Sequence, residues 1–291
     1  MNLLHALPAT LEELTLRGLI KHFLDIDSLP CLRKLKCLKV GNSGDPICEC
    51  FLAKVLLSMP NLIELDFDRF FWEKGDCYML RSLIGNPIRK IILRGKFEDQ
   101  SLMNVIRCYS DSLEELSIPI EALMENNLIP KFPKLTKCTV YWTELFAVSG
   151  EDMTRLLQPL IESMPNIVDL SLQDSNCECF YELLPLKCLQ AMMKHCPKIK
   201  TLGIPQVYPS TDVLLNARPM LGVTTLKTSC SGKTIAYLGT WKSLQNLHLT
   251  HMVIEDRDIF LLITCLKHLQ DLDITRCEKV TGQFIELKYP G

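Results

Sequence analysis

Apolar and polar residues alternate along this chain in short bursts that keep one form. LEELTL (11–16) places Leu at the first, fourth and sixth positions with polar residues between. The same spacing, with aliphatic substitutes, recurs as LKCLKV (35–40), LIELDF (62–67), IRKIIL (88–93), LEELSI (113–118) and LTKCTV (135–140). It continues as IVDLSL (167–172), IKTLGI (199–204), VTTLKT (223–228), LQNLHL (244–249) and LQDLDI (269–274), VTTLKT being the weakest because Thr228 takes its last apolar place. The alternation at the last three places is that of a half-buried strand. The eleven starts lie 21 to 32 residues apart, about 26 on average, an interval that chance matches in an apolar chain do not keep.

Between the strands the period changes. FLAKVLLSMP (51–60), YMLRSLIGNP (78–87), QSLMNVIRCYS (100–110), DMTRLLQPLIESMP (152–165), LKCLQAMMKHCP (186–197) and DRDIFLLITCLKHL (256–269) carry apolar residues at helical spacing, as in Leu156, Leu157, Leu160, Ile161 and Met164. Pro60, Pro87, Pro165 and Pro197 close four of them, since proline disfavours helix at the residue before it. Asp256 and Ser101 are the expected caps at helix starts. The unit is therefore strand, loop, helix. One such unit cannot close a core, but a stack of them can. The expected architecture is an α/β solenoid of about eleven repeats, a single domain over 1–291, with a curved parallel sheet inside and helices outside. The two 32-residue intervals predict longer loops at 141–152 and 173–185.

The last copy, DLDITRCEKVTG (271–282), is the most informative. With Leu269 it reads Leu-x-x-Leu-x-Ile-x-x-Cys-x-x-Val-Thr through Leu272, Ile274, Cys277, Val280 and Thr281. This resembles the leucine-rich-repeat superfamily, whose repeats span 20–29 residues, and in particular its cysteine-containing, F-box and ribonuclease-inhibitor-like subclass. LQNLHLTHMVIEDRDI (244–259) follows the same pattern with Met252 in the cysteine place, whereas earlier copies hold Leu19 or Phe70. The resemblance implies protein–protein recognition. More sharply, it implies a substrate-recognition component of a cullin-type ubiquitin ligase, with a ubiquitination substrate and a ligase adaptor as partners. The alternative is a non-degradative scaffold or regulator, or the repeat region of an immune or signalling sensor. No F-box-like helical segment precedes residue 11 and no capping unit follows the last copy, so the expectation is either ends protected by something else or a portion of a larger polypeptide.

In such a strand the third, fifth and seventh positions point away from the leucines, onto the concave face. Those positions nominate Glu64, Asp66, Asp68, Lys90, Arg94, Tyr141, His248, Asp271 and Asp273 as the partner-binding residues. Glu64 is expected beside Lys90 and Asp68 beside Arg94, either as pairs that only keep the sheet soluble or as a charged docking patch. Tyr141, with Trp142, His248 and His251, is the expected aromatic anchor, aromatic side chains being favoured at binding hot spots.

Composition narrows the alternatives. A formal net charge of −2, from 32 basic and 34 acidic residues, gives no clustered positive charge for nucleic acid or an anionic membrane. MNLLHALPAT lacks the basic start of a signal peptide, and no apolar run approaches a bilayer span of roughly 20 residues. The 14 cysteines fall mostly within apolar segments, as Cys108, Cys188 and Cys265 do, which points to free thiols in the cytosol or nucleus. SGKT (231–234) has Lys227 where a phosphate loop needs its first glycine, and reads as a turn and helix start. Neither CEC (48–50 and 177–179), nor the second taken with Cys188, His195 and Cys196, has zinc-ligand spacing. No catalytic constellation, metal site or cofactor motif emerges, so the expectation is a binding protein rather than an enzyme.

Overall fold

The computed structural model describes residues 7–17, 32–41, 56–72, 80–81, 83–97, 102–124, 129–142, 150–174, 186–207, 220, 222–230, 232–249, 254–275, 277 and 279–282. The chain forms two compact units, Met1–Thr143 and Glu144–Gly291.

The first unit contains β1 (Glu13–Arg17), β2 (Cys37–Gly41), β3 (Glu64–Trp72), β4 (Lys90–Phe97), β5 (Glu115–Pro119) and β6 (Lys137–Trp142), in sheet order as in chain order. The second contains β7 (Asp169–Asp174), β8 (Thr201–Val207), β9 (Thr225–Cys230), β10 (Asn246–Leu249) and β11 (Asp271–Asp273), likewise in order. The pairings within each unit are parallel and keep equivalent positions opposite one another through the apolar places: Leu14 faces Leu38, Leu65 faces Ile91, Leu202 faces Leu226 and Leu247 faces Leu272, with a register shift only beyond Phe67 in β3–β4 and beyond Ile204 in β8–β9. Each unit is a stack of α/β repeats on a parallel sheet, as the sequence predicts, and there is one strand at each of the eleven copies.

The register has a backbone device that recurs at each junction within the units. The carbonyl at the second position of one copy accepts two consecutive N–H groups from the next. Glu12 C=O takes Lys36 N–H and Cys37 N–H at 2.8 and 3.1 Å, and Gln245 C=O takes Gln270 N–H and Asp271 N–H at 2.7 and 3.0 Å. A turn precedes nine of the strands, closed by the first Leu-place N–H on an apolar residue three places earlier, as in Leu35 to Leu32, Ile167 to Met164 and Leu244 to Trp241; before β4 Ile88 N–H goes to Asn86 instead, and before β5 Leu113 N–H goes to Tyr109. Pro60, Pro133, Pro165 and Pro197 occupy the second place of four such turns, where a fixed φ near −65° is required and no N–H is used.

The first, fourth and sixth positions form the core. Leu35, Leu38, Leu62, Phe67, Leu113, Leu116, Ile118, Leu135, Leu244 and Leu247 are fully enclosed. Each such side chain contributes roughly 1.5–3 kcal/mol of apolar transfer energy. Thr228 is buried in the same row, so the weak ninth copy keeps its place despite the hydroxyl.

Five helices are described: α1 (Leu102–Ile106), α2 (Gly150–Ser163), α3 (Leu186–His195), α4 (Gly232–Leu238) and α5 (Asp256–Cys265). α2 packs on α3 and α4 on α5. The apolar stripe Leu156, Leu157, Leu160, Ile161, Met164 lies buried as its spacing predicts. SGKT does open a helix, at Gly232. Three expectations are corrected. The described residues of 78–87 hold short 3-10 and turn structure, at 80–81 and 83–86, because Gly85 takes a left-handed φ of 105° and Pro87 follows two residues on. The α5 cap is Glu255, which exchanges bonds with Asp258 in a capping box, while Asp256 is turned toward the next repeat. Finally, QSLMNVIRCYS gives one helical turn and a 3-10 turn (Arg107–Tyr109) rather than one continuous helix. Ser101 lies outside the described residues.

Candidate recognition face

The third, fifth and seventh positions of each strand share the side opposite the leucines, and the register sets them in rows. Across the first unit the third row runs Glu13, Cys37, Glu64, Lys90, Glu115, Lys137. From Glu64 onward it is a chain of alternating charge. Lys90 Nζ lies 4.0 Å from Glu64 and 3.1 Å from Glu115, which in turn meets Lys137 at 3.1 Å. Burial tends to raise the Glu115 carboxyl, but hydrogen bonds from Lys90 and Lys137 outweigh it and hold the group below the usual carboxylate range. Lys39 Nζ reaches diagonally to Glu13 at 2.5 Å.

The expected pairing of Asp68 with Arg94 is present at 3.4 Å, and Arg94 also meets Asp66 at 3.7 Å. Asp66 is half-buried, and burial pushes its carboxyl up. Arg94 opposes that rise and Asp68 adds to it. The Asp66 Oδ1 atom is buried with no hydrogen-bond partner among the described residues. Sequence order therefore brings Glu64, Asp66, Asp68, Lys90 and Arg94 into one patch, but their charges are directed at one another.

Tyr141 is a correction. Its position is the seventh of β6, yet only 5% of it is exposed, and it is not offered to a partner. The cause is Pro119 in the neighbouring strand. The β4–β5 register begins with Glu115 N–H on Arg89 C=O at 3.1 Å and pairs Ile92 with Ser117. Two rungs on, the donor to Leu93 C=O would be residue 119, and proline has no N–H. Tyr141 reaches across β5 and donates its hydroxyl to Leu93 C=O, while Gly95 N–H donates to the phenolic oxygen. One hydroxyl thus serves both Leu93 C=O and Gly95 N–H. Burial, with Glu121 nearby, drives the phenol well above its usual range. Ile92, Ser117 and Pro119 are buried at the same end of the strands, so strict alternation fails there. Side chain 142 and residue 251 lie outside the described positions, as do both CEC segments.

The second unit has a different face. Its fifth row runs Ser171, Gly203, Lys227, His248, Asp273, and its third row Asp169, Thr201, Thr225, Asn246, Asp271. His248 Nδ1 lies 3.3 Å from Asp273 Oδ2. Asp273 also accepts the Thr275 hydroxyl and, at 3.0 Å, the Thr275 N–H. Those bonds, the Thr275 hydroxyl first, hold its carboxyl below the usual range. Asn246 Nδ2 donates to Thr225 Oγ1 at 3.1 Å. Of the nominated residues here, His248 and Asp273 are brought together, and Asp271 stands exposed one row away. Lys227 was not singled out from the sequence. It is exposed beside His248, and its only signal there was its place in the repeat.

At the end of β11 the signature residues have defined tasks. Cys277 is buried and its thiol donates to Leu249 C=O at 3.4 Å, tying this copy to the one before. Asp256 accepts the N–H groups of Thr281 and Gly282 at 3.1 Å each, and the Thr281 hydroxyl as well. Gly282 adopts a left-handed φ of 91° to make that turn.

Among the described residues no group of three or more His, Cys, Asp or Glu could hold a metal ion, and their cysteines are free thiols. No described helix is long and apolar enough to cross a membrane.

No family model matches the chain, and no curated protein does. Among solved structures, a protein from Bacteroides fragilis is similar at 13% identity over 82% of this chain, with a TM-score of 0.44; this chain spans 65% of its length. The leucine-rich repeat-containing protein LegL7 from Legionella pneumophila is similar at 11% identity over 95% of this chain and 87% of its own, with a TM-score of 0.47.

Proposed function

We propose that this chain is a non-enzymatic protein-recognition module that binds through the leucine-free side of its parallel strands. One observation carries the reading: polar side chains from consecutive repeats stand in open rows on that side, as in Thr201, Thr225, Asn246 and Asp271, with the apolar residues turned away. A row of this kind offers many weak polar contacts on a rigid sheet, which suits an extended protein surface better than a small molecule held in a closed pocket.

The finer reading is a substrate-recognition component of a cullin-type ubiquitin ligase. Its support is the last copy, where Leu269, Leu272, Ile274, Cys277, Val280 and Thr281 follow the cysteine-containing pattern and Cys277 is inserted as an inter-repeat tie. Affinity purification of the tagged chain from cells is the test. Recovery of cullin or adaptor subunits is the expected result. Their clean absence alongside other specifically recovered proteins sinks the ligase reading and leaves recognition in a scaffold or regulatory role.

A further inference from the structure

The two strand faces differ in how much of their charge is already used. In the first unit Glu64, Asp66, Asp68 and Glu115 each have a basic partner within 4.0 Å. A partner docking there would have to break those pairs or ignore them. In the second unit Lys227 and Asp271 are exposed, and neither has an ionic partner within 4.0 Å among the described residues. Asp273 is different, because His248 and Thr275 already occupy its carboxylate.

The register fixes how the two open charges stand to one another. Lys227 is opposite His248, which is opposite Asp273; Asp271 is opposite Asn246, which is opposite Thr225. The two are therefore two strands apart and two residues apart along the strand. With strands about 4.8 Å apart and a rise of about 3.3 Å per residue, their Cα atoms are about 12 Å apart, diagonally across the face. Asn246 and His248 lie between them, both partly exposed. That span equals the reach of three to four residues of extended chain.

We infer that the second unit's face takes an extended peptide segment bearing one acidic and one basic side chain three to four residues apart, the acid on Lys227 and the base on Asp271. The inference rests on the recognition reading above and adds the partner's chemistry and direction. A segment with the charges in the opposite order, laid the same way, meets like charge at both ends, and like-charge juxtaposition is what rejects wrong partners at interfaces. The peptide's direction is thereby selected as well as its composition.

The test is selection of randomised linear peptides displayed on phage against the whole chain and against a charge-reversed chain, Asp271→Lys. The substitution is at an exposed position, and circular dichroism confirms that the variant folds. The expected result is a wild-type consensus with an acid and a base at that spacing, and two acids at that spacing on the variant, whichever way the peptide lies. Resynthesised wild-type peptides should lose binding to the variant and weaken in high salt. The same consensus on both chains, or one without charge, overturns this inference while leaving recognition standing. Failure of both chains to enrich any peptide overturns the recognition reading and this inference with it.

Discussion

Replacing Tyr141 by Phe removes a single oxygen from the interior of the first unit. The ring keeps its volume, so the loss is confined to the bonds with Leu93 C=O and Gly95 N–H. A buried polar backbone group left without its partner costs about 1–3 kcal/mol. Tyr141→Phe should therefore destabilise the protein by about 1–3 kcal/mol, lowering the melting midpoint by roughly 2–4 °C per kcal/mol. That figure alone could come from other causes. The argument is that Tyr141 stands in for the N–H that Pro119 lacks, and this is a statement about two residues. Pro119 has φ −71° and ψ 150°, which alanine can also adopt, so Pro119→Ala restores a backbone N–H at the next ladder place toward Leu93 C=O without forcing the chain. A double-mutant cycle then isolates the coupling, since the packing lost with the proline ring cancels between its two sides. Urea denaturation followed by circular dichroism is the assay. In the Pro119→Ala background, Tyr141→Phe should cost about 1 kcal/mol less than in the parent, the remainder being the Gly95 bond. Equal costs in both backgrounds would refute the compensation. A second readout is the ultraviolet titration of tyrosinate. Burial keeps Tyr141 protonated beyond the pH at which exposed tyrosines ionise, so the count of titrating tyrosines should be unchanged by Tyr141→Phe until the protein unfolds.

Three further outcomes follow from particular contacts. Asp66 has its carboxyl raised by burial, so the folded state binds the proton more tightly than the unfolded chain. Stability should therefore fall as pH rises from the unfolded value near 3.9 through the raised folded value, and Asp66→Asn should flatten that fall in denaturation curves taken between about pH 3.5 and 6. An unchanged pH profile in the variant would show that the burial cost lies elsewhere. Asp256→Ala removes the acceptor of Thr281 N–H and Gly282 N–H, and hydrogen exchange should accelerate at those two amides while the β10 amides keep their protection. Gly203→Ala brings a Cβ to 2.5 Å from Ser171 Oγ and 3.4 Å from Ser171 Cα. It should cost about 1–3 kcal/mol by overpacking, with partial recovery on adding Ser171→Ala, because that removes the hydroxyl and leaves the approaches to Cβ at 3.3 Å and to Cα at 3.4 Å. No recovery would place the strain in the backbone.

The strands were legible because a two-residue period, repeated eleven times, leaves one side of each strand for the core. Even the weak copy at 223–228 buries Thr228 where its neighbours bury Leu or Ile. The proline positions were legible as stops, although the place of Pro60, Pro165 and Pro197 inside the turn before a strand required the Met59, Met164 and Cys196 carbonyl bonds to be seen. The acid–base pairs Glu64–Lys90 and Asp68–Arg94 were legible too, since equivalent positions of neighbouring copies must lie side by side once the register is constant. The candidate face was less so. Sequence could nominate Tyr141 and Asp271 by the same rule of alternation, yet one is interior and the other open to solvent.

What the sequence determined by itself is the repeat: where each strand falls, which side of it is apolar, and therefore the parallel stack. Those properties depend on residues a few places apart in one copy, and any stack of such copies inherits them. What only the tertiary structure decided is which polar residues remain available. Arg94 is committed to two carboxylates, Tyr141 is recruited across a strand because Pro119 cannot donate, and Lys227 and Asp271 are left open because the side chains next to them pair with others or carry no opposing charge. Availability is a property of neighbours that lie some 25 residues away in the chain and about 5 Å away in space, and no single copy contains it.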